Sequence, residues 1–187
     1  MVTYYTFMHD SSVQPTLVCM PGLPGTGKTT LAYALARQLH WPVLDKDLIN
    51  TILLDSGMPQ AQASPLAYHV VLTLTHDLIV QQRQSIILDT AGRQPFILER
   101  ATAIAQSVAA RLKIIRRIAP YSVRIERLIT RFAKPSQWTT DKATDQDQED
   151  WYTHIPRHAL RLTTTQALEQ LVTRAIAFVQ QEIPTNE

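Results

Sequence analysis

A single cysteine in 187 residues excludes a whole class of proteins. Neither a disulfide framework nor a cysteine-rich zinc site can form within such a chain. Cys19 itself stands inside an apolar run, which predicts a buried and inert thiol. Charge is sparse as well. Charged residues make up 18% of the chain and the formal net charge is +2, too mild to argue for nucleic acid or a membrane surface as partner. No apolar stretch approaches the roughly 20 residues needed to cross a bilayer. Residues 1–15 lack a basic start followed by an apolar run, so they read as a short leader and not as a secretory signal. A cytoplasmic protein is therefore expected. The six histidines show no metal-ligand spacing; His154 and His158 are four apart but straddle Pro156, so one shared helix face is not expected. What remains, with 45% hydrophobic residues, is one globular domain large enough for a real core.

Glycine is also scarce, and three of the five stand at 22, 25 and 27. Gly22-Leu23-Pro24-Gly25-Thr26-Gly27-Lys28-Thr29 fits the phosphate-loop pattern G-x-x-x-x-G-K-[ST] at every fixed position. An apolar run, Leu17-Val18-Cys19-Met20, precedes it, and Thr30 to Leu39 reads as a helix with Leu31, Leu35 and Leu39 on one face. Such a loop wraps its backbone around a polyphosphate, and the helix N-terminus adds partial positive charge there. Lys28 is the cation expected at the β- and γ-phosphates, and the Thr29 hydroxyl is the expected ligand of Mg²⁺.

Strand-like and helix-like segments alternate from Leu17 to Gln181, which predicts an α/β fold with a parallel sheet. Strands are expected at 17–20, 42–45, 85–89, 112–115 and 160–162. Helices are expected at 47–53, from Ser64-Pro65 to about 82, at 95–110, from Pro120 to about Phe132, and from a Thr165 cap to about 181. The segment 134–156 is polar, acid-rich and without periodicity. The domain is placed at 16–182, with a lid at about 133–157 and a tail at 183–187.

Ile86-Ile87-Leu88-Asp89 has the form of a strand that ends in a Mg²⁺-holding acid. The overlapping Asp89-Thr90-Ala91-Gly92 matches the D-x-x-G switch of small GTPases. That family reads guanine with an N-K-x-D motif, and the only asparagines, Asn50 and Asn186, lie in no such context. Asp45-Lys46-Asp47 follows the second strand at the sheet edge where open α/β sheets bind ligands. Asp47 is the chosen base because it opens the following helix, with Asp45 in reserve as a substrate or Mg²⁺-water contact. The competing role for Asp47 is a helix N-cap. On the helix after Pro120, Ile125, Leu128, Ile129 and Phe132 form an apolar stripe, and Arg124, Arg127 and Arg131 a basic one. Arg127 and Arg131 are expected at phosphates, the alternative being a solvated basic face. Trp138, Trp151 and Tyr152 either stack on a ligand ring or dock their segment on the body.

The chain resembles the small phosphate-loop kinases grouped as AAA-type ATP-binding domains, with polynucleotide kinase, zeta toxin and chloramphenicol phosphotransferase among them. The resemblance spans about Thr16 to Gln181. It rests on GLPGTGKTTLAYALA, LDKDLIN, AYHVVLTLTHDLIVQQRQSIILDTAGR and RIERLITR. It implies a five-stranded parallel sheet flanked by helices on both faces, ATP with Mg²⁺, and phosphoryl transfer to a hydroxyl of a small or nucleotide-like acceptor. By the same resemblance, Gly22, Pro24, Gly25, Thr26, Gly27, Lys28, Thr29 and Thr30 hold the ATP phosphates, and Thr29 and Asp89 the metal. Asp47 matches the base, Arg127 and Arg131 the lid arginines, and Arg93 and Arg100 the substrate-side arginines. Many relatives carry arginine where this chain has Asn50, which counts against a nucleic-acid acceptor. The alternative function is an ATPase or nucleotide switch without an acceptor. Thr90 directly after Asp89 argues against a ring-forming ATPase, which keeps a water-activating acid there.

Overall fold

Short apolar runs buried on both faces are what a parallel sheet requires. The computed structural model describes residues 14–131, 136, 152–164 and 166–181. Outside them lie nearly all of the expected leader, the 183–187 tail, most of the expected lid, and Trp138, Trp151 and Thr165. The strands are β1 (Thr16–Met20), β2 (Val43–Asp45), β3 (Ile86–Asp89), β4 (Arg111–Ile118) and β5 (Leu160–Thr163). They form one sheet in the order β2-β3-β1-β4-β5, with every pair parallel.

Alternation along each strand feeds two cores. Leu17, Cys19, Ile86, Leu88 and Ile114 face one side and pack under α3 (Gln60–His76) and α4 (Pro95–Ser107). Val18, Met20, Ile87, Ile115 and Leu162 face the other and pack under α1 (Lys28–Leu39) and α6 (Leu168–Gln180). Helices on both faces are therefore present, as expected. The Cys19 thiol is 6% exposed, and burial pushes its pKa up to about 12, which accounts for an inert role. No described helix is long and apolar enough to cross a membrane.

Register sets the functional edge. Asp45 lies level with Asp89, and Met20 lies level with Asp89 on the other side, so β1, β2 and β3 end together. The β1 connection runs through α1 on one face and the β3 connection through α4 on the other. That divergence opens a crevice beyond the carboxyl ends of the two strands.

Several expected boundaries move, each for a local reason. α2 spans Lys46–Asp55, and its cap is Asp45, not Asp47: Asp45 Oδ1 accepts from the Asp47 N–H at 2.9 Å and the Leu48 N–H at 3.2 Å. α3 begins four residues before Ser64. The Pro59 carbonyl accepts from Gln62 and Ala63, both at 2.9 Å, so nucleation happens there and Pro65 sits inside the helix. α3 then widens into a π-helical turn over Asp77–Gln81. β4 runs three residues past Ile115, because Arg116 and Arg117 are buried strand residues and not a polar exit. α6 starts at Leu168 with Ala167 in the cap position.

The capping geometry makes a stability prediction. Asp45→Ala removes the acceptor for two α2 amides and is expected to cost about 1–2 kcal/mol, read as a lower urea midpoint, while Asp45→Asn stays within about 0.5 kcal/mol.

Candidate active site

The phosphate loop leaves β1 and turns into α1 through Gly25 and Gly27, both at positive φ (81° and 82°). Thr26 closes the turn, its hydroxyl donating to the Leu23 carbonyl at 2.8 Å. From behind, the loop is braced by α5 (Tyr121–Thr130). Arg124 Nε donates to the Pro24 carbonyl at 3.0 Å, and Arg127 Nη1 donates to the Gly25 carbonyl at 3.3 Å. A Cβ at Gly25 would stand 2.7 Å from the Arg124 carbonyl oxygen, so only glycine allows this approach. With loop carbonyls drawn back to the arginines, the first turn of α1 presents N–H groups that have no intrahelical acceptor. That is an anion cradle.

The bracing rotates α5 relative to the stripes read from sequence. Arg124 is 1% exposed and Leu128 is buried, whereas Ile129 is 69% exposed. A guanidinium hydrogen-bonded to the loop displaces an isoleucine from the interior. The basic stripe is therefore not one surface: Arg124 is structural, Arg127 stands behind the loop, and Arg131 reaches the cleft in front.

Across from the cradle, Asp89 Oδ1 lies 3.8 Å from Lys28 Nζ. Asp89 is 2% exposed and neither carboxylate oxygen has a hydrogen-bond partner. Burial raises its pKa, with Lys28 and the Thr29 hydroxyl opposing and Asp45 and Asp47 adding. A buried carboxylate with open lone pairs beside a threonine hydroxyl suits a hard divalent cation, so the donor set fits Mg²⁺.

A cleft of about 220 Å³ opens in front of the loop, and Gly22, Lys28, Asp47, Arg93 and Arg131 all line it. Asp45 does not. Its carboxylate is buried and committed to the α2 amides, so the cap role falls to Asp45 and the cleft-facing role to Asp47. The expected contact of Asp45 with substrate is corrected accordingly. Burial lowers the Arg131 pKa while the Asp47 charge holds it up, which reflects their proximity. Ser136 donates to the Asp47 carbonyl at 2.8 Å and also lines the cleft. Arg100 is exposed on α4 and lines neither this cleft nor the one behind the loop. Asn50 is wholly buried and makes no side-chain hydrogen bond, so it too is no part of the cleft lining.

A second cleft, about 340 Å³, lies behind the loop between Thr30, Arg127 and the β5–α6 connection at Thr164 and Gln166. Arg117 lines it, and sequence reasoning missed this residue. It is 5% exposed, its Nε and Nη1 have no hydrogen-bond partner, and burial together with the neighbouring Arg127 brings its pKa down to about 10. Its Nη2 would be 3.3 Å from a Cβ at Gly27. The available signal was an arginine pair directly after the apolar Ile114-Ile115 of the strand. Lys46 and Tyr68 in the front cleft were also missed.

Tyr152 docks its segment on the body. Its hydroxyl donates to the Ala91 carbonyl at 2.9 Å, Arg116 lies 4.4 Å over its ring, and His154 stacks beside it and meets the Gly92 carbonyl at 3.0 Å. Burial raises the Tyr152 pKa, so its proton stays in place at neutral pH.

The sequence matches the family described as an AAA domain over residues 17–155. Among curated proteins none matches. Several solved structures superpose over most of their length. A candidate kinase from Chloroflexus aurantiacus j-10-fl does so with a TM-score of 0.68 at 23% identity, covering 89% of this chain and 97% of its own. The APS kinase of Mycobacterium tuberculosis, in complex with AMPPNP and APS, gives 0.67 at 16%, covering 90% and 99%. A gluconokinase from Sinorhizobium meliloti 1021 gives 0.61 at 17%, covering 88% and 91%. At such identities the likeness establishes the fold, which is that of the small phosphate-loop kinases. The matched span takes in the loop, Asp47, Asp89 and the α5 arginines, and the chain belongs to the AAA domain family.

Proposed function

We propose that this chain is an ATP-dependent kinase that transfers the γ-phosphoryl group to a hydroxyl of a small-molecule acceptor, with Mg²⁺. One observation carries the reading: Lys28, at the anion cradle, and Asp47, a carboxylate spared from capping, line the same cleft. The cleft volume suits a molecule of sugar size better than a nucleic-acid strand. Kinases dominate the structural neighbours named above, and one was solved with AMPPNP and APS together.

In this reading, residues Gly22 to Thr30 hold the ATP phosphates and the rear cleft takes the rest of the nucleotide, with Arg117 and Arg127 beside it. Thr29 and Asp89 would hold Mg²⁺, which supplies neutralisation of phosphate charge when bound. Asp47 accepts the proton of the acceptor hydroxyl as its oxygen bonds to the γ-phosphorus. The bond from that phosphorus to the β–γ bridging oxygen breaks, and ADP leaves with the electron pair. Lys28 and Arg131 balance the charge that spreads over the transferred group. Arg93 orients the acceptor. Water, the competing nucleophile, is displaced when the acceptor fills the cleft.

Two experiments test this scheme. Lys28→Ala is expected to abolish measurable AMPPNP binding in calorimetry. Asp47→Asn is expected to bind AMPPNP as the parent does yet lose roughly 10²- to 10⁴-fold in acceptor-dependent ATP turnover; undiminished turnover would remove Asp47 as base.

Asp89 gives a pH-dependent test. Its folded pKa lies above the unfolded one, so its contribution to stability is fully present below the unfolded pKa of about 3.9 and is lost as pH rises through the folded value. Asp89→Asn is expected to abolish that decline in thermal melts, to melt higher than the parent at neutral pH without nucleotide, and to lose the Mg²⁺ enhancement of AMPPNP affinity. A parent-like pH profile in the variant would contradict the assignment.

A further inference from the structure

The front cleft is electrostatically lopsided. Among its described lining residues, Lys28, Lys46, Arg93 and Arg131 are cationic and only Asp47 is acidic. Lys28 belongs to the phosphate end through its contact with Asp89. Lys46 lines the same cleft, and no step of the transfer scheme uses it. It is 6% exposed and sits 4.7 Å over the Tyr68 ring. Its Nζ donates one hydrogen bond, to Ser64 Oγ at 3.3 Å. Asp47 Oδ1 is 3.8 Å away, an ion-pair separation beyond hydrogen-bond reach. An ammonium carries three N–H donors, so Lys46 has capacity left for a ligand in the cleft it lines.

Burial lowers the Lys46 pKa and Lys28 adds to that, while Asp47 and Asp45 oppose it. The near-apolar support on the Tyr68 side therefore leaves this cation incompletely compensated. Burying an ammonium costs free energy unless an anion and hydrogen bonds complete its shell. Asp47, at 3.8 Å, does so only in part, as an ion pair without a hydrogen bond. Lys46 is also a lining residue of the cleft, where a ligand anion can reach it.

We propose that Lys46 is the anion anchor of the acceptor site, so that the acceptor is an alcohol that also carries an oxyanion. A carboxylate, sulfate or phosphate group would dock on Lys46 while the hydroxyl of the same molecule meets Asp47. The short Lys46–Asp47 separation places both groups on one small molecule, and the excess of cations outweighs the repulsion from Asp47. This inference rests on the reading of the front cleft as the acceptor side.

The test uses the full chain with its phosphate loop filled by Mg²⁺ and saturating AMPPNP, titrated with sodium sulfate at constant ionic strength. The parent is expected to bind sulfate, and Lys46→Met to bind it roughly tenfold more weakly or worse, the loss typical of a charged hydrogen bond. Lys46→Arg is expected to recover part of the affinity. AMPPNP binding should persist in both variants, which shows that they fold. Equal sulfate affinity in parent and Lys46→Met, or no sulfate binding once the loop is filled, overturns the proposal. The two readings fail separately. Sulfate held at Lys46 without ATP-dependent transfer to any alcohol removes the kinase reading alone. Transfer to a neutral alcohol, undiminished in Lys46→Met, removes the anion anchor alone.

Discussion

Two guanidinium–carbonyl hydrogen bonds, Arg124 to Pro24 and Arg127 to Gly25, hold the phosphate loop in its working shape. Leu23 anchors the loop in the first core and the Thr26 hydroxyl closes its turn, but its glycines leave the backbone many conformations to choose from. Drawing its carbonyls toward α5 leaves the amides for the cleft side. The same contacts dictate which face of α5 is buried, and they bring Arg131 round to the front. α1, β1 and α5 thus form one unit whose geometry is set by backbone–guanidinium bonding, while hydrophobic packing supplies the frame around it.

Around that unit, on β3, β4 and α2, lie three buried charged groups. Asp89 is buried with bare oxygens, Arg117 is buried with bare donors beside Arg127, and Lys46 is buried over a ring. In each case burial pushes the group toward its neutral form. A fold selected for stability alone would fill these places with apolar side chains. Each such group costs stability through its desolvation. The three groups lie at three points: beside Lys28 of the phosphate loop, in the rear cleft and in the front cleft.

The segment from Tyr152 to Ala159 adds a further constraint, closing the first core from the sheet edge. Tyr152, Ile155 and Ala159 pack with β1 and β3 residues, and the Tyr152 hydroxyl and His154 ring engage the Ala91-Gly92 turn. The strand end that carries Asp89 is thereby held from above as well as from the sheet. Of the two roles that the sequence leaves open for Tyr152, the structure shows docking, because its hydroxyl finds a carbonyl and its face finds Arg116.

Local chemistry made the phosphate loop, the sheet strands and Asp89 readable in sequence. The loop is a contiguous string, buried parallel strands are contiguous apolar runs, and an acid ending such a run needs no distant partner to be noticed. Choices between neighbours were not readable. Asp45 and Asp47 are the same residue type two positions apart, and only the register of β2 against β3 with the start of α2 made one a cap and the other a cleft residue. Arg117, Lys46 and the turned face of α5 likewise depend on contacts with residues tens to a hundred positions away. The linear chain determined the fold class and the anion cradle, because those follow from residue types in immediate succession. Tertiary structure decided which charges share a cleft and which are spent on the backbone, because burial and partnership are properties of space and not of order along the chain.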